Sequence, residues 1–158
     1  MISNMKNKNI RPARPDDAAR LAEIEIFNYR LNFYPIFRTN DYFFRELTVP
    51  VVAAEYETDP QRLENTAVYD DGVIKGFIRV NGSEIEKLFV EPVFQSLGIG
   101  DALLRFAVEE LGADRLQALE KNEKALRFYA RHGFFPTGEK APVDDTKEFL
   151  ILLKLRND

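Results

Sequence analysis

Cysteine is absent from all 158 residues, which excludes a disulfide scaffold, a thiolate zinc site and a cysteine nucleophile, and favours a reducing, cytoplasmic setting. Long apolar runs are missing as well. The longest, Phe149 to Leu153, is far too short to span a bilayer, and the polar stretch Met1 to Arg14 has no apolar segment of signal-peptide type. Neither membrane insertion nor export is therefore expected. Positive charge is in deficit, with 22 Lys and Arg against 26 Asp and Glu, net −4. The electrostatic footprint of a nucleic-acid binder is missing, and an acidic surface suits cationic substrates instead. Internal repeats, low-complexity segments and Gly-, Ser- or Pro-rich linkers are lacking too, so residues 1–158 are read as one domain. The sole histidine, His132, precedes Gly133 in a last helical turn. There histidine serves as a surface residue or a helix C-terminal cation, and it is set aside as a base.

What is present is patterned. Ile10 to Arg14 reads as a first strand, and Pro15-Asp16-Asp17 opens a helix on which Leu21, Ile24, Phe27 and Leu31 recur at helical spacing. Tyr34-Pro35 is expected to end it, with a shorter helical stretch around Asp41 to Leu47. From Asn65 the pattern changes to strands, Thr66 to Tyr69, Val73 to Val80 and Glu84 to Val90, joined at Asp71-Gly72 and Asn81-Gly82. Those dipeptides supply the positive φ of tight hairpin turns, which makes this an antiparallel meander. In its third strand Ile85 and Leu88 stand three apart rather than two or four, and such a slip predicts a β-bulge. Leu103, Leu104, Phe106, Ala107, Val108 and Leu111 then form a helical stripe closed by Gly112. Arg115 to Leu119 is a strand, Asn122 caps a helix from Glu123 to His132, and strands near Phe134 to Thr137 and Glu148 to Leu155 finish the chain. The class is α+β, a mixed, mostly antiparallel sheet with helices on both faces.

Gln95-Ser96-Leu97-Gly98-Ile99-Gly100 joins the strand ending at Val90 to the next helix. Backbone N–H groups converge at such a helix start, the helix dipole favours an anion there, and glycine lets a phosphate approach the backbone. Taken alone the two glycines fit a plain strand-to-helix turn better than an anion site. A Walker loop is absent. A dinucleotide fingerprint starting at Gly98 would have Leu103 in place of its third glycine, and the preceding strand is read as part of a meander rather than of a βαβ unit.

A second constellation, Asn122-x-x-Ala125-x-x-Phe128-Tyr129-x-x-x-Gly133-Phe134, puts Asn122, Ala125 and Tyr129 on adjacent turns of one helix. Together with the glycine turn, the opening Ile10-Arg11-Pro12-Ala13 and Gly76, it resembles the GNAT superfamily of N-acetyltransferases over nearly the whole chain, in particular its small bacterial single-domain members. The resemblance implies acetyl-CoA as cosubstrate, no metal, a small-molecule or peptide amine as acceptor, and a homodimer as a common assembly. It implies that the pantetheine arm lies between the Val90 and Arg115 strands, bonded to the backbone of Leu88, Phe89 and Val90. Gln95, Leu97, Gly98 and Gly100 would offer amides to the pyrophosphate, with Ser96, Ile99 and Asp101 beside them, and Asn122 and Ala125 would meet the pantetheine. Asp101 departs from the uncharged or basic residue expected next to a phosphate. Tyr129 would protonate the leaving thiolate, since a phenol of pKa about 10 holds its proton at neutral pH. Glu84 is the first candidate for the base that deprotonates the amine, with Glu86 second; an exposed strand edge explains both equally well. Eight aromatics between Phe27 and Phe44 and the loop Lys140 to Lys147 would shape the acceptor site. The alternative is a non-catalytic acyl-CoA-binding or regulatory module.

Overall fold

The computed structural model describes residues 7–156; Met1 to Lys6, part of the polar N-terminal stretch, and Asn157 and Asp158 lie outside the described residues. Seven strands, β1 (Ile10–Pro12), β2 (Thr66–Asp70), β3 (Ile74–Asn81), β4 (Glu84–Val90), β5 (Arg115–Leu119), β6 (Phe134–Pro142) and β7 (Phe149–Leu155), form one sheet in the order β1-β2-β3-β4-β5-β7-β6. Neighbours run antiparallel except β4 and β5, which are parallel. The α+β class with helices on both faces is thus the observed one. No helix among the described residues is long and apolar enough to cross a membrane.

Strand alternation builds two cores. Ala67 and Ile78 face α5 (Ile99–Leu111), whereas their neighbours Val68 and Phe77 face α1 (Ala18–Asn28) and α3 (Val49–Thr58). Each face is covered because a strand of this composition has apolar side chains on both sides, and each large one buried contributes about 1.5–3 kcal/mol. On the α5 side, α6 (Glu123–Arg131) lies along the edge of the cluster through Leu126, Phe128 and Tyr129.

The first helix runs further than its proline suggests. After α1 the chain takes a π-helical turn at Tyr29–Phe33, closed by the Tyr34 N–H on the Tyr29 carbonyl, and continues as α2 (Tyr34–Phe37). The widened turn is where a proline can be taken in, because the regular hydrogen-bond ladder is already interrupted. Arg38, at φ 57, ends the helix instead of Tyr34-Pro35. The stretch expected around Asp41 to Leu47 is a second π-helical turn, Tyr42–Glu46. Helices α3 and α4 (Pro60–Glu64) carry their prolines in the first turn, where no N–H is needed.

The predicted bulge is present. Arg79 opposes Lys87 and Val80 opposes Ile85, which leaves Glu86 as the extra residue of β4. In consequence Ile85 and Leu88, three apart, both pack into the α5 core.

At Gly76 sheet and helix approach closely. A Cβ built there would stand 2.8 Å from the Phe89 carbonyl oxygen and 3.3 Å from a Leu103 methyl. Gly76→Ala should therefore destabilise the fold by about 1–3 kcal/mol, as overpacking of a filled core does. Chemical denaturation with an unchanged m-value and a lower midpoint would register the loss; an unchanged midpoint would show that β3 and β4 can part at no cost.

Candidate active site

Strands β4 and β5 begin as a pair and then separate. Glu84 lies opposite Arg115 and Ile85 opposite Leu116, and beyond these positions the two strands no longer pair, although β4 continues to Val90 and β5 to Leu119. A cleft of about 1250 Å³ occupies the opening. Lining it are Glu84, Glu86, Leu88, Phe89, Val90, Gln95, Ser96, Gly98, Gly100, Asn122, Ala125 and Tyr129, so residues far apart in sequence meet here.

The backbone of β4 is not equally available along the gap. The Glu91 N–H bonds the Lys75 carbonyl at 2.8 Å, and antiparallel pairing alternates from there, so Phe89 bonds Phe77 while Leu88 and Val90 turn their N–H and C=O groups away from β3. The expectation of Leu88, Phe89 and Val90 thus narrows to Leu88 and Val90 for backbone contact. Phe89 reaches the cleft by its ring, edge-on to Tyr29 at 5.5 Å. The Val90 carbonyl is already held, by the side-chain amides of Asn28 at 2.9 Å and Gln95 at 3.1 Å.

The glycine turn is wound through two left-handed residues, Ser96 at φ 65 and Gly98 at φ 85. Helix α5 starts at Ile99, and its first bond runs from the Ala102 N–H to the Gly98 carbonyl at 3.0 Å. The N–H groups from Ser96 to Asp101 therefore have no acceptor among the described residues, which is the arrangement that binds an anion. Gln95 differs from the expectation: its N–H bonds the Pro92 carbonyl at 3.3 Å, and its side chain braces Val90, Asn28 and Lys124. Leu97 projects to solvent, 68% exposed, and Ile99 is buried in the α5 core, so neither side chain lines the cleft. Asp101 faces the cleft, yet its carboxylate lies 2.6 Å from His132 Nε2, in a pair between the start of α5 and the end of α6.

Parallel pairing also revises one inference from sequence. The segment β4–α5–β5 is a βαβ unit, since β4 pairs antiparallel with β3 on one side and parallel with β5 on the other. The argument against a dinucleotide fingerprint then rests on Leu103, which is fully buried.

Helix α6 closes the far wall. Asn122 caps it, accepting from the Ala125 N–H at 3.3 Å. Tyr129 packs edge-on against Phe128 and Phe134, its hydroxyl has no hydrogen bond among the described residues, and desolvation pushes its pKa up to about 12. Lys124, Arg127 and Arg131 line the same wall, three cations at helical spacing that the sequence reading passed over. Their i, i+3, i+7 pattern beside Ala125 was the available signal. On the α1 side the lining is aromatic, with Tyr29, Phe33, Phe37, Tyr42 and Phe43.

A family model described as acetyltransferase (GNAT) domain matches residues 62–136. Peptidyl-lysine N-acetyltransferase YjaB of Escherichia coli K12 is 29% identical over 119 residues, covering 70% of this chain and 80% of YjaB. The YjaB of Salmonella typhimurium LT2 is 33% identical over 89 residues, 56% of this chain and 61% of its own length. Among solved structures, the apo form of E. coli YjaB superimposes with a TM-score of 0.68 at 23% identity, over 92% of this chain and 95% of that one. YncA from Salmonella typhimurium, determined with acetyl-CoA, gives 0.63 at 23% identity, over 94% and 93%.

The glycines separate fold from ligand. At Gly100 φ is not in the left-handed region, and a Cβ would meet only Phe128 and Val90 at 3.4 Å or more, so the fold itself tolerates a side chain there. Gly100→Ala should leave the melting temperature unchanged or raised, alanine being favoured in a helix by about 0.5–1 kcal/mol. It should also weaken acetyl-CoA binding about tenfold or more, read by calorimetric titration. Undiminished affinity would show that no ligand approaches the backbone at this turn.

Proposed function

We propose that this chain, which belongs to the GNAT superfamily of acetyl-CoA-dependent N-acetyltransferases, moves an acetyl group from acetyl-CoA to a primary amine by direct attack while both substrates are bound. The parting of β4 from β5, open at one end onto a turn of unpaired N–H groups, is the observation that carries this reading. Acetyl-CoA supplies an activated thioester. The N–H groups of Ser96 to Asp101 hold its pyrophosphate, with Lys124, Arg127 and Arg131 as counter-charges. Leu88 and Val90 receive the pantetheine amides along the free edge of β4, and Asn122 and Ala125 bound the arm from α6. The Leu88 N–H stabilises negative charge developing on the thioester oxygen. Tyr129 gives its proton to the departing sulfur.

Glu84 and Glu86, both on the cleft and neither in an ion pair among the described residues, hold the positive charge of the incoming amine. The aromatic wall would pack an aliphatic stem behind that charge. Since both YjaB relatives are named peptidyl-lysine N-acetyltransferases, a lysine side chain within a peptide is the first acceptor to test. Release of free thiol from acetyl-CoA, followed with lysine peptides and small amines, tests the reading. Binding of acetyl-CoA without turnover on any amine would instead mark a non-catalytic acyl-CoA module.

Tyr129→Phe should lower kcat by about 10²- to 10⁴-fold, the range of general acid catalysis, with acetyl-CoA affinity nearly unchanged. Because its phenol is raised to about 12, it stays protonated across the assay range and contributes no basic limb below about pH 10. A wild-type kcat in the phenylalanine variant would remove Tyr129 from the chemistry.

A further inference from the structure

Behind the aromatic wall lies a second cavity of about 390 Å³, between α1, α3 and the α1-side face of β3 and β4. It shares Tyr29, Tyr42, Glu86 and Lys87 with the main cleft, so these residues stand between the two spaces. Lys87 donates to the Tyr29 hydroxyl, and its ammonium lies 4.8 Å from the centre of the Tyr29 ring. Glu25 stands on the wall of the second cavity, only 5% exposed, and its carboxylate makes no hydrogen bond or ion pair among the described residues. A buried carboxylate without a partner is costly and needs a reason.

Resting on the acetyltransferase reading, we infer that Lys87 takes the proton from the acceptor ammonium, and that the second cavity, with Glu25 on its wall, passes that proton to solvent. The neutral Lys87 nitrogen forms a new N–H bond as one N–H bond of the ammonium breaks. The freed lone pair of the amine then attacks the thioester. Lys87 returns the proton through the cavity, where Glu25 stabilises the charged lysine while the proton is in transit. Nothing is oxidised or reduced, and no further reactant is needed.

The surroundings fit a lysine that changes charge. Burial lowers the Lys87 pKa and raises that of Glu25, and among its neighbours Glu25 opposes the lowering most strongly. From the other elements packed here come Tyr42, Glu55 and Tyr56, Arg62, Arg79, and Glu86 beside Lys87 on β4. Most of these charges are committed elsewhere: Arg62 pairs with Glu55 at 2.8 Å and Asp59 at 3.5 Å, and Arg79 bonds the Tyr56 hydroxyl and Thr66. Arg62 and Arg79 disfavour the charged lysine, and Glu86 favours it.

Two measurements on the full chain test this. In protein labelled with ¹³Cε-lysine, the Lys87 resonance should titrate below those of the exposed lysines. In Glu25→Gln it should titrate lower still, because removing a negative charge disfavours the protonated form. Lys87→Arg keeps a long side chain with N–H donors for Tyr29, but it stays protonated and cannot act as a base at these pH values. It should therefore lose about 10²-fold or more in kcat/KM, together with the acidic limb of the pH profile, and retain acetyl-CoA binding. A Lys87 that titrates with the surface lysines would overturn the inference, as would an arginine variant with the wild-type rate and profile. So would an acidic limb that vanishes only in Glu84→Gln. A wild type inactive on every amine counts against the acetyltransferase reading, whereas the Lys87 titration needs no acceptor.

Discussion

The cleft of this molecule depends on β4 having two different neighbours. On one side it is bonded to β3 along its length; on the other it is bonded to β5 for two residue pairs and then released. A parallel partner requires a crossover, and the crossover is α5, whose start must lie at the open end of the gap. The unpaired N–H groups of Ser96 to Asp101 therefore arrive beside the free edge of β4 as a consequence of topology. Neither feature would form a cleft without the other.

The opening is held in shape by polar side chains rather than by strand pairing. Asn28 from α1 and Gln95 from the glycine turn converge on the Val90 carbonyl, and Lys124 from α6 bonds Gln95 in turn. One carbonyl at the end of β4 thus joins three elements that line the cleft. Asp101 and His132 add a similar tie between α5 and α6. An acidic residue suits the first turn of α5, and a histidine suits the last turn of α6. What looked like a misplaced carboxylate beside an anion site is engaged by a neighbouring imidazole.

The strands, the bulge, the glycine turn and the Asn122 cap were legible because each has a local cause: apolar alternation, a phase slip, a positive-φ demand, or a side chain able to accept from N–H groups. Helices α3 and α4 were not legible, since Val49 to Val52 carries no helical stripe and both helices place proline where it resembles a breaker. The passage of the chain through Pro35 depends on a π-helical turn that no periodicity announces. In the cleft, the backbone of β4 was readable as a region but not residue by residue. Which of Leu88, Phe89 and Val90 face the gap follows from the β3 register, a long-range property. The side-chain partners of Gln95 were hidden for a related reason: Asn28 and Lys124 lie 67 and 29 residues away in sequence. Glu25 and Lys87 give no signal at all in one dimension, because a charged residue on an amphipathic helix or strand reads as solvent-facing until the opposing layer is known.

The bulge at Glu86 connects the cleft to the second cavity. Ile85 faces the α5 core; in a regular strand Lys87 would face it too, placing an ammonium among Leu103, Leu104 and Leu116. The extra residue reverses the alternation, so that Leu88 enters that core and Lys87 turns toward Tyr29 and the α1 layer. The same insertion lies next to the last paired residues of β4 and β5. One added residue therefore accounts for three things: where the sheet opens, which side chains line the two faces of the opening, and why a lysine stands between the cleft and a buried carboxylate. Removing it would move the lysine to the opposite face, away from the boundary between the two spaces.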